Sequence, residues 1–68
     1  SGPLFNLKYL CYKNLASILT TAGDTEGAIE AYNLAAELDD TDITLWHRLG
    51  TVCLQVHNYE TALYAFQK

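Results

Sequence analysis

Proline and glycine are scarce: Pro3 is the only proline, and there are four glycines among 68 residues. That scarcity excludes a turn-rich β protein and a low-complexity tail. Basic residues are also few. Only Lys8, Lys13, Arg48 and Lys68 carry positive charge, and nothing groups them into a stripe, so direct binding to a nucleic-acid backbone is not expected. No apolar run approaches the ~20 residues that a helix needs to cross a bilayer. Nor does a basic-then-apolar leader open the chain, so neither a membrane partner nor secretion is expected. Two cysteines, Cys11 and Cys53, make no disulfide framework and suit a reducing compartment. A glycine-rich phosphate loop and a nucleophile elbow are both missing.

What is present is apolar and helical in rhythm. Half of the residues are hydrophobic and the net charge is −4, with the acids clustered between Asp24 and Asp42. These acids read as a solvated helix face and turn, and secondarily as an edge that attracts a basic peptide. Sixty-eight residues make at most one small domain, near the size where a single core only just offsets chain entropy.

The organising stretch is 45–66. Trp46, Leu49, Gly50 and Cys53 stand at one helical spacing, and Ala62 and Phe66 follow on a second helix. Shifted back by 34 residues the scheme returns as Tyr12, Leu15, Ala16, Leu19, then Ala28 and Tyr32. Glu26 with Glu60, Ala31 with Ala65, and Ile18 with Val52 fall in the same register. A period of 34 with Trp-x-x-Leu-Gly followed by Ala-x-x-x-Phe resembles the tetratricopeptide repeat. The fold expected is therefore all-α, an α-solenoid of two helix–turn–helix repeats with four helices. Residues 1–3 read as a cloning remnant, 4–40 as the first repeat and 41–68 as a truncated second one.

In chain order, Leu7, Leu10, Cys11, Leu15, Ile18, Leu19 and Ala22 advance by three and four, which predicts an amphipathic first helix from Leu4. Gly23 stops it, and Asp24 or Thr25 caps a second helix that ends near Leu38, with Ala28, Ile29, Tyr32, Ala35 and Leu38 inward. Asp39, Asp40, Thr41 and Asp42 offer cap oxygens for a third helix running to about Val56. Its expected core residues are Trp46, Leu49, Val52, Cys53 and Val56. His57 and Asn58 separate it from a fourth helix that turns Ala62, Leu63 and Phe66 inward.

Candidate chemistry is thin. Cys53 and His57, four apart, raise a nucleophile–base pair or half a metal site. A structural zinc needs four ligands, and no second Cys/His pair is spaced to complete the set. No oxyanion donor is signalled either. The expectation is a domain that is not an enzyme and has no cofactor.

The tetratricopeptide resemblance implies a concave groove, lined by the first helix of each pair, that holds an extended peptide or a partner helix. Carried onto this chain, the lining from the first repeat is Leu10, Lys13, Asn14, Ser17, Thr20 and Thr21. The second repeat adds Thr44, His47, Arg48, Thr51, Leu54 and Gln55. The apolar side of Ala62, Leu63, Ala65 and Phe66 is left without a successor, so self-association through that end is expected. Co-chaperone members of the family grip the C-terminal carboxylate of heat-shock proteins with a Lys and two Asn. Here Lys13 fits, but Ser17 and Arg48 stand where the asparagines belong, which makes that function the alternative.

The strings Leu7-Lys8-Tyr9, Tyr12-Lys13-Asn14-Leu15-Ala16, Leu38-Asp39, Thr41-Asp42, Leu45-Trp46 and Gly50 go beyond the generic repeat. They resemble the N-terminal repeats of the cabin family of calcineurin-binding proteins, the large tetratricopeptide subunits of the nuclear HIRA/HIR histone chaperone complex. That resemblance implies a non-catalytic scaffold in replication-independent nucleosome assembly and transcription regulation, located in the nucleus, with other complex subunits as partners. The family's calcineurin-binding segment is not represented here, so phosphatase inhibition is not expected.

Overall fold

A computed structural model describes residues 2–68; Ser1, part of the 1–3 opening, lies outside the described residues. Four helices follow one another: α1 (Pro3–Thr21), α2 (Thr25–Leu38), α3 (Ile43–Gln55) and α4 (Tyr59–Phe66). Among the described residues there is no strand. Packing is sequential, α1 on α2, α2 on α3 and α3 on α4. The Cα extents are 35 × 27 × 14 Å, and the thinnest is little more than one helix diameter of about 10–12 Å. Every helix therefore keeps a surface open to solvent.

Local chemistry fixes the helix ends. Pro3 sits in the first turn of α1, where its missing N–H costs nothing. At the far end Gly23 takes φ +86°, its N–H bonding the Thr20 carbonyl, while Asp24 N–H reaches back to Leu19. The Asp24 carboxylate then accepts from Gly27 N at 3.0 Å and caps α2. The same turn recurs 34 residues on. His57 takes φ 61°, its N–H bonds Leu54, Asn58 N–H reaches Cys53, and the Asn58 side chain caps Thr61 N. The repeat is thus written in the backbone as well as in the residue types. Between α2 and α3, Asp39 accepts from both the N–H and the hydroxyl of Thr41, and Asp42 caps Thr44 N at 3.0 Å.

The core is built from small residues facing large ones. From α2 come Ala28, Ala31, Tyr32 and Ala35, and from α3 Leu45, Trp46, Leu49, Val52 and Cys53; Tyr9 and Ala16 close it from α1, and Ala62 and Ala65 from α4. The alanines let α2 approach both of its neighbours closely. Trp46 donates its indole N–H to the Asp40 carbonyl at 2.7 Å, which satisfies its one polar atom. Gly50 lies under the Phe66 ring: a Cβ there would stand 2.6 Å from the ring edge. Replacing Gly50 by leucine overpacks this contact, at a cost of about 1–3 kcal/mol.

Several expected core positions lie outside. Leu7, Leu10, Leu15 and Ile18 are exposed, as are Cys11 and Ala22. The buried face of α1 is the opposite one, with Tyr9 and Ala16 fully covered and Tyr12 and Leu19 partly so. The reason is that α1 packs extensively on α2 alone, whereas periodicity records every apolar face whether or not something covers it. Val56 is exposed because α3 ends one residue earlier. Leu63 and Phe66 are exposed because α4 packs extensively on α3 alone. Tyr12 and Trp46 hold equivalent places in the register, but Trp46 is buried and Tyr12 only half-buried.

Candidate functional site

Two parallel rows of side chains meet between α1 and α3. Ser17, Thr20 and Thr21 form one wall of an open cleft of about 430 Å³, and His47, Arg48, Thr51 and Gln55 form the other. Tyr32 and Val52 make its floor. Thr20, Thr21 and Thr51 each spend their hydroxyl hydrogen on the carbonyl four residues back, at 2.8, 3.1 and 3.0 Å. That turns their methyl groups and lone pairs to the surroundings. Arg48 makes no ion pair among the described residues, so its guanidinium remains available to a carboxylate. The cleft is therefore an open surface lined by hydroxyl groups and one unpaired cation. Leu10, Asn14, Thr44 and Leu54 are exposed but do not line it.

Lys13 is held elsewhere. Its ammonium contacts Asp42 Oδ2 at 2.7 Å, and the same oxygen accepts the Tyr9 hydroxyl at 2.6 Å. The other oxygen, Oδ1, caps Thr44 N. One carboxylate thus ties the first helix of the chain to the start of the third. The Lys13 and Tyr9 hydrogen bonds, in that order, hold the Asp42 carboxyl at about 2, below its usual 3.8. Burial, helped by the bond to Asp42, pushes the Tyr9 hydroxyl up. In the fold, then, Lys13 serves as an internal partner rather than as a free cation waiting for a terminal carboxylate.

Cys53 and His57 do not form a pair. Cys53 is fully buried, and burial pushes its thiol up. His57 has left the helix at positive φ and places Nδ1 2.9 Å from the Tyr59 hydroxyl. The four-residue spacing implies a shared face only while the helix continues, and α3 stops at Gln55. Among the described residues no three His, Cys, Asp or Glu side chains gather as metal ligands do, and no helix is long and apolar enough to cross a membrane.

The proposed self-association end divides. Ala62 and Ala65 are buried against α3 and present no surface, whereas Leu63 and Phe66 are exposed. A larger apolar surface lies on α1. Leu4, Leu7, Cys11, Leu15 and Ile18 follow at helical spacing and all are exposed. In the 34-residue register, Cys11, Leu15 and Ile18 match Leu45, Leu49 and Val52 of α3, all of which are buried. Sequence reasoning also passed over Tyr9 and Asp42 as a bonded pair. The available signal was Tyr9 and Lys13 standing one helical turn apart on a face that looks toward the next hairpin.

Comparison with known proteins supplies the family. A model described as the CABIN1 N-terminal domain matches residues 1–68. The chain is 33% identical over 67 residues to "Calcineurin-binding protein 1" of Arabidopsis thaliana, covering 96% of this chain and 4% of that protein. It therefore spans only a small part of that relative's length. No solved structure matches the chain significantly.

Proposed function

The chain belongs to the CABIN1 N-terminal domain family, and on that footing we propose that it is a non-catalytic scaffold segment that binds other proteins. Its two hairpins are read as tetratricopeptide units of an α-solenoid within a longer subunit of a nuclear histone chaperone complex. The work of that complex is replication-independent nucleosome assembly and transcription regulation. The observation that carries the binding role is the apolar α1 face: Cys11, Leu15 and Ile18 are open while Leu45, Leu49 and Val52, their partners in register, are buried. A helical repeat that leaves such a face open offers it to another helix. Repetition of the Gly23 and His57 turns supports the solenoid reading. The α1–α3 cleft, with Arg48 unpaired, supplies a second, polar contact surface.

The test uses the full-length protein in nuclei, with Ile18→Asp on the apolar face and Arg48→Glu in the cleft. Both side chains are exposed, so each variant should keep its helical circular dichroism. The expected result is loss of at least one chaperone-complex subunit on co-purification. An unchanged subunit set for both variants contradicts the scaffold reading. Sedimentation of the 68-residue chain over a range of concentrations asks whether a second copy takes the same face, and Ile18→Asp should then give the lighter species.

A further inference from the structure

The second cleft of the molecule is built by α2 and α4 rather than by α1 and α3. Asn33, Ala36, Glu37 and Asp40 form one side, Tyr64 and Lys68 the other, and Trp46 the base of a shallow, open cleft of about 460 Å³. The Trp46 and Tyr64 rings meet edge to face with centroids 5.8 Å apart. The Lys68 ammonium rests over both, 4.9 Å from the Trp46 centroid and 4.5 Å from that of Tyr64. The position of the Trp46 ring is fixed by its bond to the Asp40 carbonyl and by burial. Neither Glu37 nor Asp40 is ion-paired among the described residues.

We propose that this cleft binds the ammonium group of a lysine side chain, bare or N-methylated, presented by a basic peptide, and that Lys68 is its tethered internal occupant. Two ring faces supply negative quadrupole, and two carboxylates supply long-range attraction for a positively charged segment. A ring pair beside acids is how alkylammonium groups are recognised in water. Lys68 follows the last helical turn, and its side chain is exposed. An exposed contact of this kind favours the bound position only about two- to fivefold, so an incoming lysine displaces it readily. The net charge of −4 favours a basic partner over an acidic one. The site deepens the protein-binding reading by naming the chemistry of one partner. It shares no lining residue with the α1–α3 cleft, so the two readings fail separately.

Trp46 is the only tryptophan, which makes its fluorescence a direct reporter. Three versions of one short basic peptide are titrated against the chain, carrying lysine, trimethyllysine or the uncharged norleucine at the central position. Saturable change with either lysine form, and none with norleucine, is the expected result. Lys68→Ala removes the internal competitor and should tighten binding about two- to fivefold. Tyr64→Ala takes away one ring and should weaken it about fivefold, with helical circular dichroism checked because Tyr64 is itself exposed. Glu37→Gln combined with Asp40→Asn should lower affinity and flatten its salt dependence. A norleucine peptide that binds equally well, no response to any peptide, or a Lys68→Ala chain that binds more weakly than the parent overturns the proposal.

Discussion

Replacing Asp42 with asparagine tests how the two hairpins are joined. Asparagine keeps the shape and still offers an oxygen to cap Thr44 N, so the start of α3 should survive. What disappears is the charged acceptor for Tyr9 at 2.6 Å and Lys13 at 2.7 Å. The amide nitrogen that takes its place is a donor facing two donors. Charge-assisted bonds of this kind contribute about 1.5–3 kcal/mol when buried. The Lys13 and Asp42 side chains are 19% and 25% exposed, and solvent screening brings the pair toward the lower end, about 2 kcal/mol in all. The depressed carboxyl leads to a similar figure: the gap between about 2 and the usual 3.8, at about 1.4 kcal/mol per pH unit, corresponds to roughly 2.5 kcal/mol, which solvent screening brings toward about 2 kcal/mol. For a chain of this size the loss should lower Tm by about 8–16 °C.

The direction with pH follows from the same carboxyl. Its folded value lies below its unfolded value, so the unfolded chain takes up the proton first as pH falls. The stabilisation is complete above about pH 4 and is lost as pH drops toward about 2. Urea unfolding followed by circular dichroism and Trp46 fluorescence, from pH 7 to pH 2.5, reads both quantities. The difference between parent and Asp42→Asn should be about 2 kcal/mol at neutral pH and shrink steadily below pH 4. A difference under about 0.5 kcal/mol, or one that does not change with pH, refutes the claim that this carboxylate joins α1 to α3. A double-mutant cycle with Lys13→Met then assigns the share carried by the ion pair.

The two equivalent turns should respond in opposite senses. His57 holds φ 61° without being glycine, so His57→Gly should raise stability by about 0.5–1 kcal/mol, whereas Gly23→Ala at φ +86° should lower it by about 1 kcal/mol, both read from urea midpoints. The thiols should separate as well. Cys11 is exposed and Cys53 buried, so one thiol per chain should react at once with a disulfide reagent, and the second only at the rate of unfolding. Rapid reaction of both contradicts the buried placement of Cys53.

The sequence alone determined the local order of this protein. Four helices, turns at Gly23 and His57, caps at Asp24, Asp42 and Asn58, and a 34-residue register all follow from side-chain chemistry acting within a few residues. The tetratricopeptide resemblance, carried over residue by residue, also named Ser17, Thr20, Thr21, His47, Arg48 and Thr51 among the residues of one surface, and these six line the α1–α3 cleft. Only the tertiary structure decided which apolar faces are covered. Leu15 and Leu49 are the same residue in the same register, yet one is open and the other buried, because α1 packs extensively on one helix and α3 on two. The Tyr9–Asp42–Lys13 junction and the resting place of Lys68 over Trp46 and Tyr64 depend on distances between elements. Those distances are set by how alanine-faced helices pack in three dimensions, and a pattern of residue types along the chain does not contain them.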